Sequence, residues 1–183
     1  MSAFRRMLVF VIALAGVCSV AIAQEPDEIA AGRALGPRWK QMCRVSGMVF
    51  AGTVLGIVAL PATNDQAMPT VEVKFRVDQA IAGVESGQVL TIREWAGAWA
   101  SHRALRTGQR VLLFLYPPSL LGLTSPVGGP MGQVALDASG KNVAAPAAIS
   151  NLALHTRPPF RTAARRSVSL RQLERAIRSA RKE

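Results

Sequence analysis

Hydrophobic and polar residues alternate most cleanly at Val71, Val73, Phe75 and Val77, which are separated by Glu72, Lys74, Arg76 and Asp78. A period of two puts the apolar residues on one buried face of a strand and the charged ones on the other. Upstream, Val49 to Val58 (VFAGTVLGIV) is a longer apolar run with β-branched residues and two glycines, which suits a strand that curls and needs bulges. Pro61 to Pro69 (PATNDQAMP) reads as the loop between them. Gly83 to Gly87 (GVESG) predicts a turn, and Gln88 to Trp95 (QVLTIREW) a third strand pairing back on the second. Ala96 to Thr107 interrupts the pattern. Arg110 to Tyr116 (RVLLFLY) is almost wholly apolar and predicts a fourth strand, central in its sheet, while Met131 to Asp137 (MGQVALD) predicts a short fifth. Pro117 to Pro130 (PPSLLGLTSPVGGP), between these two, has the length of a functional or disordered loop, and Leu120, Leu121 and Leu123 predict that it is packed down.

The ends of the chain carry a different texture. Pro26 to Lys40 is polar and mildly helical, with Gly32, Gly36 and Pro37 limiting any helix to about two turns. Near the C-terminus, Ser169 with Gln172 fits a capping box. Leu170, Leu173 and Ile177 then form an apolar stripe, and Arg171, Arg175, Arg178 and Lys182 fall on another face. The layout is a mainly β fold: a five-stranded, OB-like Greek-key barrel with a C-terminal amphipathic helix. The expected division is a signal peptide over 1–23, a lead-in segment over 24–42, the barrel over 43–143, a Pro/Ala/Arg-rich connection over 144–166 and the basic helix over 167–183. No internal repeat of fixed period is present.

The signal-peptide reading rests on Arg5 and Arg6 as a basic n-region, Met7 to Val20 as an apolar run, and Ala21-Ile22-Ala23 as an A-x-A-like cleavage site before Gln24. The competing readings are an uncleaved anchor over Met7 to Ala23 and a lipoprotein cysteine at Cys18, the latter disfavoured by Val17 before it. Export, to periplasm or medium, is the expected localisation. Cleavage after Ala23 leaves one domain whose single cysteine, Cys43, has no intramolecular partner. Cys43 is then a buried small apolar residue or a thiol with an external partner, and Met42, Val45 and Met48 around it favour burial.

Charge changes the picture through its placement. The net charge is +11; without Arg5 and Arg6 it is +9, and residues 157–183 supply +7 of that, from nine basic and two acidic residues. In an exported protein such a block points to an anionic envelope surface or an acidic protein rather than to nucleic acid, with a solvated helix face as the plain alternative. The chemistry inventory is thin. His102 and His155 are the only histidines, no pair has zinc-like spacing, and no nucleophile motif surrounds Cys43. No enzyme activity, metal or cofactor is therefore expected. Trp95 and Trp99 flank Gly97 at the end of the third strand, with Arg103 and Arg106 nearby; these four are the candidate contacts for a protein partner, unless the rings plug the barrel end. The expected function is a non-catalytic module that binds another exported or envelope protein. The alternative is an anionic envelope or membrane surface bound through Arg171, Arg175, Arg178 and Lys182.

The runs Val49 to Thr53 (VFAGT), Val71 to Val77 (VEVKFRV), Ile81 to Val84 (IAGV), Val89 to Arg93 (VLTIR) and Gly108 to Leu115 (GQRVLLFL) resemble, in order and spacing, secreted bacterial proteins similar to the N-terminal domain of tissue inhibitors of metalloproteinases. The resemblance spans roughly Cys43 to Tyr116. It implies an OB-like barrel, and for the animal inhibitors an N-terminal cysteine whose amino and carbonyl groups chelate the protease zinc. Cys43 lies well inside the expected mature chain and the inhibitors' partner cysteines are missing, so the resemblance carries over the barrel and not the zinc-chelating mechanism, and leaves a metallopeptidase inhibitor-like protein as the second alternative function.

Overall fold

The computed structural model describes residues 25–62, 68–100, 104–144 and 167–183. Its elements are α1 (Glu25–Leu35), α2 (Trp39–Val45), β1 (Met48–Leu60), β2 (Thr70–Ala82), β3 (Val89–Trp95), α3 (Ala96–Ala100), β4 (Arg110–Leu115), β5 (Gln133–Ala135) and α4 (Leu170–Ala180). The expected signal peptide and most of the 144–166 connection lie outside the described residues, as do His102, Arg103 and His155.

The strands form one antiparallel sheet in the order β3-β2-β1-β4-β5. β1 is central because it pairs with β2 along its length and with β4 through Met48 to Thr53. Its register against β2 slips at three places, and Gly52 sits at one of them. A Cβ there would stand 2.7 Å from the Arg76 carbonyl oxygen, so the close approach of β2 needs the glycine. The alternation of β2 is realised: Val71, Val73, Phe75 and Val77 are buried, and Lys74, Arg76 and Asp78 are exposed.

Both faces of the sheet carry a core, which accounts for the apolar character of β4. Leu112 and Phe114 join Val49 and Ala51 under the helices, where α1, α2 and α4 add Ala31, Trp39, Cys43, Leu173 and Ile177. Val111, Leu113 and Leu115 face the other way into a second cluster with Phe50, Val54, Val73 and Phe75. The rings of Phe50 and Phe75 meet edge to face, their centroids 5.6 Å apart. A strand covered on both sides reads as a continuous apolar run wherever it lies in the sheet. β4 is accordingly next to the centre rather than central.

Two expectations are corrected here. The sheet is not closed into a barrel. β5 is three residues long and pairs only with Val111 to Leu113 of β4, too short to reach β3. The β3 edge is met instead by the β4–β5 connection, through a parallel bridge between Arg93 and Leu123 and a hydrogen bond from the Thr124 amide to the Arg93 carbonyl at 2.8 Å. The lead-in segment also forms eleven helical residues in α1, longer than two turns, despite Gly32. A mid-helix glycine costs about 1 kcal/mol. Burial of Ala30, Ala31 and Leu35 in the helix-side core outweighs that cost.

Candidate binding surfaces

α4 is built as its sequence predicts. The Ser169 side chain accepts from the Gln172 amide while the Gln172 side chain accepts from the Ser169 amide, and Leu170, Leu173, Ala176, Ile177 and Ala180 are buried. The basic face is partly committed to the protein itself. Arg175 makes a two-pronged pair with Asp27 of α1, at 2.7 and 3.0 Å. Arg178 donates to Glu174 at 2.9 Å and to the Ala80 carbonyl at 3.0 Å. Glu174 is held in turn by Gln79 of β2. Arg171 and Lys182 are exposed and make no ion pair among the described residues. Arg181, outside the four candidates, is tied down most firmly: one of its guanidinium nitrogens donates to the carbonyls of Cys43 and Ser46, at 2.7 Å each. Its place was readable, because position 181 falls one turn beyond Ile177 on the apolar stripe.

Cys43 lies inside α2, fully buried, with its carbonyl engaged by Arg181. Burial pushes its thiol up to about 12, against the smaller opposing effect of Arg181. It is a thiol at neutral pH. Among the described residues no three His, Cys, Asp or Glu side chains gather as metal ligands do. Asp137 serves the fold by fixing the turn after β5, and hydrogen bonds from Ser139 and Asn142 hold it well below the usual carboxylate range.

The two tryptophans divide. Trp99, in α3, is half-buried against the second core cluster, whereas Trp95 is 48 % exposed and lies over Gly97, where a Cβ would meet its ring at 2.6 Å. Arg106 is exposed, its amide donating to the Gln109 side chain at 3.0 Å.

The Pro117 to Pro130 loop is where expectation and structure part. Leu120 is fully exposed and Leu121 70 % exposed. Both sit on a tight turn closed by the Gly122 amide on the Ser119 carbonyl and the Ser119 amide on the Leu123 carbonyl, each at 2.8 Å. Beneath them the loop is pinned at Thr124, whose amide reaches β3 and whose hydroxyl donates to the Tyr116 carbonyl at 2.6 Å. Hydrogen bonding across the base of the turn therefore fixes the loop, with Leu123 half-buried against β3 as expected and Leu120 and Leu121 directed outward. Apolarity alone argues for packing; the turn geometry decides against it. The structure thus brings the Trp95 strand end and the 117–130 loop together through Arg93, Leu123 and Thr124, and leaves the basic helix elsewhere.

A groove that the sequence pattern does not announce lies between the α1–α2 corner and the β4–β5 connection. It encloses about 360 Å³, with Leu35, Met42 and Val127 as its buried floor and the exposed Val45, Tyr116 and Met131 as its rim. Periodicity could not reveal it, because its walls come from segments some seventy residues or more apart in the chain. Among the described residues no helix is long and apolar enough to cross a membrane. The chain matches no protein-family model, no curated protein and no solved structure.

Proposed function

We propose that the protein is an exported, non-catalytic binding module of OB-like design that recognises another exported or envelope protein through the 117–130 loop and the adjoining end of β3. The observation that carries the reading is the Leu120-Leu121 tip. Leaving two adjacent leucines in water forgoes roughly 1.5–3 kcal/mol of burial each, and a hydrogen-bonded turn holds them there. A single exposed leucine needs no explanation, but a pair presented on a hydrogen-bonded turn, in a loop bridged to β3 at Arg93, has the anatomy of an interface anchor. The OB-like design is supported by the strand order, with a long β1 shared by β2 and β4, and by the contact of the β4–β5 connection with the β3 edge. Export is supported by the n-region, apolar run and cleavage pattern of residues 1–23. Binding to an anionic surface through α4 ranks second, because among the described residues only Arg171 and Lys182 of its four candidate cations make no ion pair or side-chain hydrogen bond.

The test is affinity capture from the envelope fraction with three immobilised proteins: wild type, Leu120→Ser/Leu121→Ser, and Arg171→Ala/Lys182→Ala. The expected result is a partner retained by wild type and the helix variant and lost from the tip variant. Retention by the tip variant, with loss from the helix variant, would transfer the function to α4.

A further inference from the structure

The groove beside the loop has a polarity of its own, independent of what the leucine tip binds. Arg38, Gln41, Met42 and Val45 recur at the spacing of one helical face, so a single side of α2 with its N-cap residue forms one wall. That wall is polar at the Arg38 end and apolar at the Val45 end, over about 10 Å at the helical rise. Tyr116, Val127 and Met131 complete the apolar side. Arg38 is the one charged residue along the described walls and makes no ion pair among the described residues, none of which brings a carboxylate to the groove. The volume lies at the lower end of the range for small-molecule sites, about 300–1,000 Å³.

We infer that this groove binds a small anionic amphiphile, a medium-chain monocarboxylate whose headgroup meets Arg38 and whose tail lies between Met42, Val45, Tyr116 and Met131. Charge selects the headgroup, since a lone unpaired guanidinium at one end favours a carboxylate over a neutral or cationic group. The main chain selects the tail. On the wall facing α2, the amides of Tyr116, Val127 and Met131 already bond to Ser125, Phe114 and Gly128 carbonyls, at 3.0, 2.8 and 3.4 Å. A peptide laid along the groove would find no main-chain partners at these amides and would bury its own polar groups unpaired. A hydrocarbon chain incurs no such cost.

The experiment is calorimetric titration of the full-length protein with decanoate below its micelle concentration, beside decyltrimethylammonium (same tail, opposite charge), acetate (headgroup without tail) and a tripeptide with a free C-terminal carboxylate. The proteins are wild type, Arg38→Ala, Met131→Ser and Arg171→Ala/Lys182→Ala. Arg38 and Met131 are exposed, so their variants are expected to fold. Saturable one-to-one binding of decanoate is expected, weakened at least tenfold by Arg38→Ala and by Met131→Ser and unchanged in the α4 variant. Failure to saturate, comparable binding of decyltrimethylammonium, or an Arg38→Ala affinity within twofold of wild type would overturn the assignment. Tighter binding of the tripeptide would reassign the groove to a chain terminus, and a dimer dissolved by Met131→Ser would reassign it to a second copy. A loss in the α4 variant would reduce the effect to general attraction by a basic protein.

Discussion

The terminal helix and the 117–130 loop differ in how much of each the fold itself uses. α4 is amphipathic and rich in arginine; its short apolar stripe suits docking and its basic face a surface, and it closes the helix-side core. Its apolar stripe is buried, and Arg175, Arg178 and Arg181 bind Asp27, the Ala80 carbonyl and the carbonyls of Cys43 and Ser46. The loop carries no charge and enough leucine to suggest packing, yet its tip stands in water. A residue's capacity to bind something else is what remains after its internal partners are subtracted. For α4 that remainder is small; for the tip it is nearly the whole of both side chains.

The sharpest way to break this comparison is to weaken the helix from within. Leu173 is fully buried among α1, α2 and the sheet. Leu173→Ala removes its contacts and leaves a cavity, and is expected to cost about 2–5 kcal/mol in urea-induced unfolding. A loss below about 1 kcal/mol, within the range of ordinary surface substitutions plus error, would mean that α4 is an accessory and that its basic face is its purpose.

Legibility in the sequence follows the range of the interaction. The alternation of β2, the capping box at Ser169 and the stripe on α4 were legible because each depends on neighbours within a few residues. β4 was legible as buried but not as placed, since an apolar run records two covered faces without saying which strands lie beside it. Barrel closure failed because it depends on how far a three-residue β5 can reach. The leucine tip was misread because the hydrogen bonds at Ser119 and Thr124, not the leucines, set its direction. The groove joins residues 35–45 to 116–131, and no local pattern records such a meeting.

Cys43 offers a gentler probe of the region that α4 closes. Its thiol is pushed up to about 12 by burial, so the folded state holds a proton that the unfolded chain releases above the ordinary thiol value of about 8.5. The stability it contributes is present in full below that value and is lost as pH rises toward 12. Urea midpoints of the wild type should fall over this interval, and a Cys43→Ala variant should lack that component of the fall. At pH 8 Cys43 of the native protein should also resist iodoacetamide, with labelling at that residue, read by peptide mass, appearing as urea opens the α2–α4 contact. Rapid labelling of Cys43 without denaturant would show that α4 lifts off readily, and the contrast between a committed helix and an uncommitted loop would weaken.

The smallest expected effect is the one that defines the loop. If the tip is presented rather than packed, Leu120→Ser/Leu121→Ser removes two side chains with little or no folded-state contact to lose. Its unfolding free energy should then stay within about 0.5 kcal/mol of wild type, the range of surface substitutions. Two buried leucines cut back to serine would cost several times that, through lost burial and newly buried hydroxyls. The measurement therefore separates the two meanings of an apolar loop before any partner is known. A neutral result leaves the leucines without a role in folding, so that their exposure is explained by what they meet outside the chain; a large loss would show that the loop is held down in solution and return the binding role to Arg171 and Lys182 of α4.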